Sequence, residues 1–156
     1  MLDAPADVPP LLVALSLAST ALLGVALAAS PTPAPRAAPL ADTVDAVAAA
    51  DTPGVETRAV RADAVRITRS RIAVRGPRGT AHATFAYAPV VPVRDGTALW
   101  RVLRGRPPDD VFETRLGFAD AAATAMTREA AWRQQPERLT VRRVTWGGVD
   151  VTLVGA

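Results

Sequence analysis

Side chains of the kinds that perform catalysis or bind metal ions are scarce in this chain. It contains no cysteine and a single histidine, His82, so it offers neither a thiolate nor a pair of imidazoles for a metal site. His82 stands beside Thr84 on one side of a predicted strand, which is more typical of a surface residue than of a ligand or general base. The serine and threonine hydroxyls have no identifiable partner base. We therefore expect no catalytic residue, no metal site and no cofactor, and a protein that is not an enzyme.

Acidic and glycine-rich positions have structural explanations. Asp109, Asp110 and Glu113 follow two prolines and can bind a cation, but acidic residues are also favoured electrostatically at helix N-termini, which is the interpretation we prefer. Four glycines are assigned to hairpin turns and lack the strand–loop–helix context of a phosphate-binding loop: Gly76, Gly79, Gly147 and Gly148.

The positive charge of the chain is carried by arginine alone. There are eighteen basic residues and none is lysine; after residue 30 they stand against thirteen acidic residues, a net charge of +5. Because this charge is spread out and aromatic residues are too few for a stacking platform, nucleic-acid binding is not expected, and attraction to anionic lipid is an alternative. Five arginines at predicted exposed strand positions can contact an acidic partner, although a solvated surface is the simpler explanation: Arg66, Arg71, Arg75, Arg142 and Arg143.

Residues 11–30 form the longest apolar segment. They carry no charge, and about 20 such residues are what an α-helix needs to cross a bilayer, so a transmembrane helix is predicted here. Residues 1–10 form an N-terminal tail with two aspartates and no arginine, which favours an uncleaved anchor over a secretory signal. The small-residue pattern at residues 26–28 leaves cleavage after Ala28 open.

Small residues recur at every fourth position of this segment. Ser16, Thr20, Gly24 and Ala28 would share one stripe of a helix, and such stripes allow membrane helices to approach closely. The prediction is association with a second copy or with another membrane protein. The alternative is a chance stripe in an alanine-rich segment.

Two opposing features bear on which side of the membrane the chain after residue 30 lies. Arg36 is the basic residue close to the apolar segment, and the positive-inside rule then favours the cytoplasm. The proline-rich stalk and the possible cleavage site suit an exported domain. We expect a single-pass protein of the cell membrane with its domain outside the cytoplasm.

The rest of the chain divides into a linker and one domain. Residues 31–39 contain four prolines and are predicted to form an extended linker. Residues 40–156 are of a length for one small domain. Helical spacing predicts helices at residues 40–51, 99–103 and 112–131.

Alternating apolar residues predict five strands. The alternating pattern begins at Asp63, changes phase at residues 69–70 and is interrupted by a second turn at residues 76–79, which predicts a three-stranded meander over residues 63–87. Gly147 and Gly148 predict a C-terminal hairpin with Trp146 opposite Val149. The apolar residues of its first strand change phase at Arg142 and Arg143, which predicts a β-bulge there.

The expected fold class is therefore α+β. It consists of an N-terminal transmembrane helix, a proline-rich linker and a roughly five-stranded antiparallel sheet packed with two or three helices.

Four segments resemble an uncharacterised haloarchaeal family of small, N-terminally membrane-anchored proteins. They are MLDAP (1–5), TVDAVAA (43–49), GTAHATFAY (79–87) and WGGVDVTLV (146–154). Some members accompany genes for type IV pilus-like or secretion assemblies, so the resemblance implies an accessory role in such a system. It brings no catalytic residues.

Three hypotheses for function follow. The first is a single-span, non-enzymatic accessory or structural protein of a surface-appendage or secretion assembly, with membrane lipid and other membrane proteins or itself as partners. The second is a secreted binding domain released by cleavage after Ala28. The third is a cytoplasm-facing domain that contacts an acidic partner, anionic lipid or nucleic acid. No small-molecule substrate is identified.

Overall fold

Three α-helices and eight β-strands make up residues 34–156, the part of the chain that the structure, a computed structural model, describes. The helices are α1 (Ala38–Ala49), α2 (Ala98–Leu103) and α3 (Arg115–Thr127), with a 3-10 turn at Pro108–Asp110. The strands are β1 (Val55–Ala59), β2 (Ala64–Ile67), β3 (Arg71–Gly76), β4 (Gly79–Thr84), β5 (Val91–Pro92), β6 (Arg133–Gln134), β7 (Arg138–Trp146) and β8 (Val149–Gly155).

These strands form two sheets of four strands. One, which we call the hairpin sheet, has the order β1-β7-β8-β5, and the other, the meander sheet, has the order β4-β3-β2-β6. The described residues are α+β, but the expectation of one five-stranded sheet is wrong. The predicted meander and the predicted C-terminal hairpin lie in different sheets, and three short strands complete them: β1 and β5 in the first, β6 in the second.

The transmembrane part of the expected fold is not found in the described residues. No helix within residues 34–156 has both the length and the apolar character needed to cross a membrane. The helix predicted at residues 11–30 lies outside the described residues.

The hairpin sheet is buried on both faces. On one face Val144 and Leu153 pack with residues of α2 and α3. On the other face Leu139, Val141 and Val154 pack with α1 and with the meander sheet. A strand covered on both faces does not need to alternate apolar with polar residues, so the apolar pattern of β7 changes phase without a change in the backbone.

The register of the hairpin confirms the turn and contradicts the bulge. Trp146 pairs with Val149 across the Gly147–Gly148 turn, as predicted. The pairing then continues unbroken, with Arg142 opposite Leu153 and Arg143 opposite Thr152. The predicted bulge is wrong because the phase change marks the point where burial passes from one face of the sheet to the other.

The meander over β2, β3 and β4 is confirmed. Val65 pairs with Val74 and Ile67 with Ile72, which places these apolar side chains on the same face. This inner face contributes to the core that is shared with α1 and the hairpin sheet. The opposite, outer face of the meander sheet carries Arg66, Arg71 and Arg75.

The helices agree with their predicted positions. Helix α1 buries Leu40, Val44 and Val47. It begins at Ala38 and so includes the last two residues of the linker predicted at residues 31–39. Helix α3 is shorter than the predicted residues 112–131, because it begins after Thr114, whose hydroxyl accepts a hydrogen bond from the Gly117 N–H at 3.1 Å. Such an N-cap fixes the start of a helix.

Candidate binding surface

The outer face of the meander sheet carries three of the five predicted arginines. The register pairs Arg66 with Ala73 and Arg75 with Ala64, and Arg71 lies two residues before Ala73 on the same strand. Since directly paired residues share a face, the three guanidinium groups belong to one surface, which we call the arginine face. Its remaining strand residues include no acid: Ala64, Ala73, Thr80, His82, Thr84 and Gln134.

Trp132 organises one end of the arginine face. The Cζ atom of Arg75 lies 4.1 Å from the centre of the Trp132 ring, and that of Arg66 lies 4.8 Å from it. Both distances are within the range of a cation–π interaction. The tryptophan thus fixes two of the arginines while leaving their charge unneutralised. Ala64 and Ala73 are each 1% exposed, as expected if these long side chains lie across the strands.

None of the three arginines of this face forms an ion pair within residues 34–156. The two ion pairs of the described residues join Arg133 to Asp95 and Arg143 to Asp150. The arginine face therefore presents positive charge without a local counter-charge.

Arg142 and Arg143 are not part of this surface. They follow one another on β7, so their side chains point to opposite faces of the hairpin sheet. Arg142 donates hydrogen bonds to the Val102 and Arg106 carbonyls, at and just beyond the end of α2. Arg143 donates to the Ala48 and Ala50 carbonyls at the end of α1. Arg143 thus donates to carbonyls at a helix C-terminus, where such groups lack partners within the helix, and Arg142 adds a second hydrogen bond to the Val102 carbonyl, which also accepts from the Gly105 N–H at 3.0 Å, so both have structural roles.

Arg143 is also ion-paired. Its Nη2 atom lies 2.6 Å from Oδ2 of Asp150, the cross-strand neighbour of Thr145. Hydrogen bonding from Arg143 lowers the pKa of Asp150 below its usual value, and the same bond raises the pKa of Arg143. The pair holds Arg143 beside the end of α1.

Other polar residues considered in the sequence are dispersed. His82 is exposed on the arginine face, on the far side of Ala73 from Arg66. Asp109 and Asp110 lie in the exposed 3-10 turn, and Glu113 precedes the N-cap of α3. Within residues 34–156 no three histidine or acidic side chains are grouped to hold a metal ion. The predicted stripe Ser16, Thr20, Gly24 and Ala28 lies outside the described residues.

A groove lies next to the arginine face, on the other side of β2. It has a volume of about 330 Å³ and is bounded by β2, the chain around β5, the end of α3 and the segment that contains Trp132. We call it the Trp132 groove. Sequence reasoning missed it because its walls come from four separate parts of the chain. Trp132 lies directly after the helix predicted at residues 112–131 and was given no functional role, although tryptophan is enriched at interfaces.

A family model described as a family of unknown function (DUF7283) matches residues 3–144, which is most of the chain. Comparison with curated proteins found no match, and comparison with solved structures found none either.

Proposed function

The chain belongs to DUF7283, a family of unknown function, and we propose that it is a non-enzymatic accessory protein whose domain binds an acidic partner protein through the arginine face. The apolar residues 11–30 anchor it in the cell membrane, with the domain outside the cytoplasm. The assembly it serves is a haloarchaeal surface appendage or secretion system, as the resemblance given above implies.

The observation that carries this proposal is the uncompensated charge of the arginine face. Arg66, Arg71 and Arg75 share one sheet face that has no acid among its strand residues, and none of them is ion-paired within the described residues. Arginine is enriched at protein interfaces because its planar guanidinium binds carboxylates in a bidentate manner. Complementary charge then increases association rate and selects the partner.

Trp132 supports a protein partner over a nucleic acid. Binding to single strands uses aromatic rings whose faces are open to bases. The ring of Trp132 has two guanidinium groups within 4.8 Å of its centre, which makes it a support for the arginines. A surface of ordered guanidinium groups fits carboxylates that are themselves fixed on a partner.

The test uses a fluorescently labelled peptide of alternating glutamate and glycine. Its binding to the full chain in neutral detergent is measured by fluorescence anisotropy. We expect the affinity to fall as the salt concentration rises from about 0.1 M to about 1 M, because exposed charges are screened. The triple variant Arg66→Gln, Arg71→Gln and Arg75→Gln should bind about tenfold more weakly or worse.

A matched control removes the same charge elsewhere. Arg101, Arg106 and Arg138 are exposed and lie on or near α2 or at the start of β7, so the triple change of these residues to glutamine should leave the affinity close to that of the original chain. Equal losses in the two triple variants would show that only net charge matters and would contradict the proposal.

A further inference from the structure

We propose that the acidic partner also inserts an aliphatic side chain into the Trp132 groove, so that the recognised ligand is an acidic peptide segment carrying one aliphatic residue. This inference rests on the proposed function and adds an apolar component to it.

The floor of the groove is aliphatic. Val65 and Ile67 of β2, Val93 just after β5 and Ala125 of α3 all line it. A volume of about 330 Å³ is at the lower limit of the range typical of ligand pockets. It suits one side chain of a partner with its adjoining backbone better than a large cofactor.

The groove and the arginine face meet at the edge of β2. Alternation along this strand places Val65 and Ile67 on the inner side and Arg66 on the outer side. Strand β6 pairs only with Ala64 and Val65, so beyond Val65 no strand of the described residues covers this edge. Trp132 lines the groove and contacts Arg66, which makes the two surfaces continuous around one side chain.

Charged side chains of both signs line the groove, three arginines and two acids. Arg133 is ion-paired with Asp95. Arg94 donates to the backbone carbonyl of Glu129, and Arg128 makes no ion pair or side-chain hydrogen bond with the described residues. Arg128 is thus available to a carboxylate next to the inserted aliphatic side chain, whereas the acid that makes no ion pair within the described residues, Glu129, would repel a carboxylate on its own side of the groove.

The recessed shape favours a peptide over a lipid surface. A bilayer presents its anionic headgroups in a plane, and interfacial tryptophans insert with their rings exposed to lipid. Trp132 is half-buried and has guanidinium groups over its ring. A flexible peptide segment can pass around the β2 edge and contact both the arginine face and the Trp132 groove, whereas a flat bilayer surface can contact only one of the two.

The experiment compares two labelled peptides of equal length and charge, the glutamate–glycine peptide and a version in which one central glycine is leucine. Both are titrated with the full chain in neutral detergent. Because burial of a leucine side chain in an apolar site is favourable, the leucine peptide should bind at least about tenfold more tightly.

Two variants test whether the leucine side chain of the peptide binds in the Trp132 groove. Ile67→Gln makes the floor of the groove polar, and Ala131→Leu fills the groove from an exposed position that tolerates a larger side chain. Each should abolish the gain from leucine and keep the affinity for the glycine peptide. The control Val55→Gln changes a valine that is 63% exposed on β1 and should preserve the gain.

Each other outcome overturns the inference in a distinguishable way. Equal binding of the two peptides, or a leucine gain that survives both groove variants, overturns the groove and leaves the proposed function intact. Binding of neither peptide overturns the proposed function as well. Tighter binding to vesicles of phosphatidylcholine and phosphatidylglycerol than to either peptide, lost in the Arg66, Arg71 and Arg75 variant, identifies lipid as the ligand instead.

Discussion

Two adjacent arginines hold the ends of two helices in this fold. Arg142 is half-buried and donates to carbonyls at the end of α2, whereas Arg143 donates to carbonyls at the end of α1. Hydrogen bonds from a charged donor are stronger than those between neutral groups, so their loss removes a substantial contact between β7 and each helix end. These side chains should therefore matter for stability and not for binding.

We expect Arg142→Met to lower the free energy of unfolding by about 1–3 kcal/mol, because methionine preserves the packing of the aliphatic stem and removes the donors. Urea unfolding followed by circular dichroism measures this. Arg138→Met, at an exposed position of the same strand, is the control and should change little. Unchanged stability in Arg142→Met would show that the hydrogen bonds of Arg142 do not stabilise the end of α2.

The ion pair of Arg143 predicts a pH dependence of stability. Because the pKa of Asp150 is lowered in the folded protein, its contribution is complete above the unfolded value of about 3.9 and is lost as the pH falls through the folded pKa. The difference in unfolding free energy between the original chain and Asp150→Asn should be constant from about pH 6 to about pH 4 and shrink below that. A constant difference down to the lowest pH would contradict the lowered pKa.

The arginines also show what a sequence can predict at this scale. Alternation correctly placed Arg66, Arg71 and Arg75 on one outer face, because the partner strands are neighbours in the chain. It could not foresee the roles of Arg142 and Arg143. Their acceptors lie 36 to 95 residues away in sequence, and such contacts depend on where distant helices end.

At the scale of elements, β8 and α2 approach each other at a glycine. A Cβ atom built on Gly155 would lie 2.6 Å from Cδ2 of Leu103 and 2.7 Å from Cζ3 of Trp100. Leu103 is fully buried, so it has little room to move. The contact between the last strand and α2 therefore requires a residue without a side chain.

Gly155→Ala should destabilise the protein by about 1–3 kcal/mol, the usual cost of overpacking a core, as measured by urea unfolding. Gly54→Ala is a suitable control, since the atom nearest to its added Cβ is 3.9 Å away, and it should be neutral or slightly stabilising. Equal stability of the two alanine variants would contradict the expectation that β8 and α2 are too close at Gly155 to accommodate a side chain.

Local signals predicted the long elements and failed for the short ones. The meander, the Gly-Gly hairpin and the three helices follow from apolar spacing and turn residues within each segment. Strand β1 is exposed at all five positions and therefore shows no alternation. Strands β5 and β6 have two residues each and exist only through pairing with β8 and β2. The assignment of strands to two sheets depends on those pairings and was missed for the same reason.

At the scale of the whole molecule, the apolar segment 11–30 determines where the domain acts. If it anchors the chain and its small residues contact another membrane helix, Gly24→Leu should leave the protein in the membrane fraction and abolish its co-purification with other membrane components, because a bulky residue prevents close approach. Ala18→Leu, a similar change about 120° around a helix from Gly24 and so off the predicted stripe, is the control. Full-length protein in the soluble fraction without detergent would contradict the anchor.

The arginine face and the Trp132 groove are both properties of the assembled molecule. Arg66 and Arg75 come from a hairpin that the sequence predicts, but Trp132 reaches them from a segment more than fifty residues later in the chain. Alternation alone predicts that these arginines share the outer face of the sheet. The contact of the arginines with the Trp132 ring and the continuity of the arginine face with the Trp132 groove could not be predicted, because both require the meander sheet to meet the segment after α3.

The most direct test of the central claim is arginine footprinting with phenylglyoxal, read out by mass spectrometry, on the full chain with and without the glutamate–glycine peptide. Binding at the arginine face should protect Arg66, Arg71 and Arg75 from modification and leave Arg101, Arg106 and Arg138 as reactive as before. Equal protection of both sets, or protection of the second set alone, would contradict the assignment of this face as the binding surface.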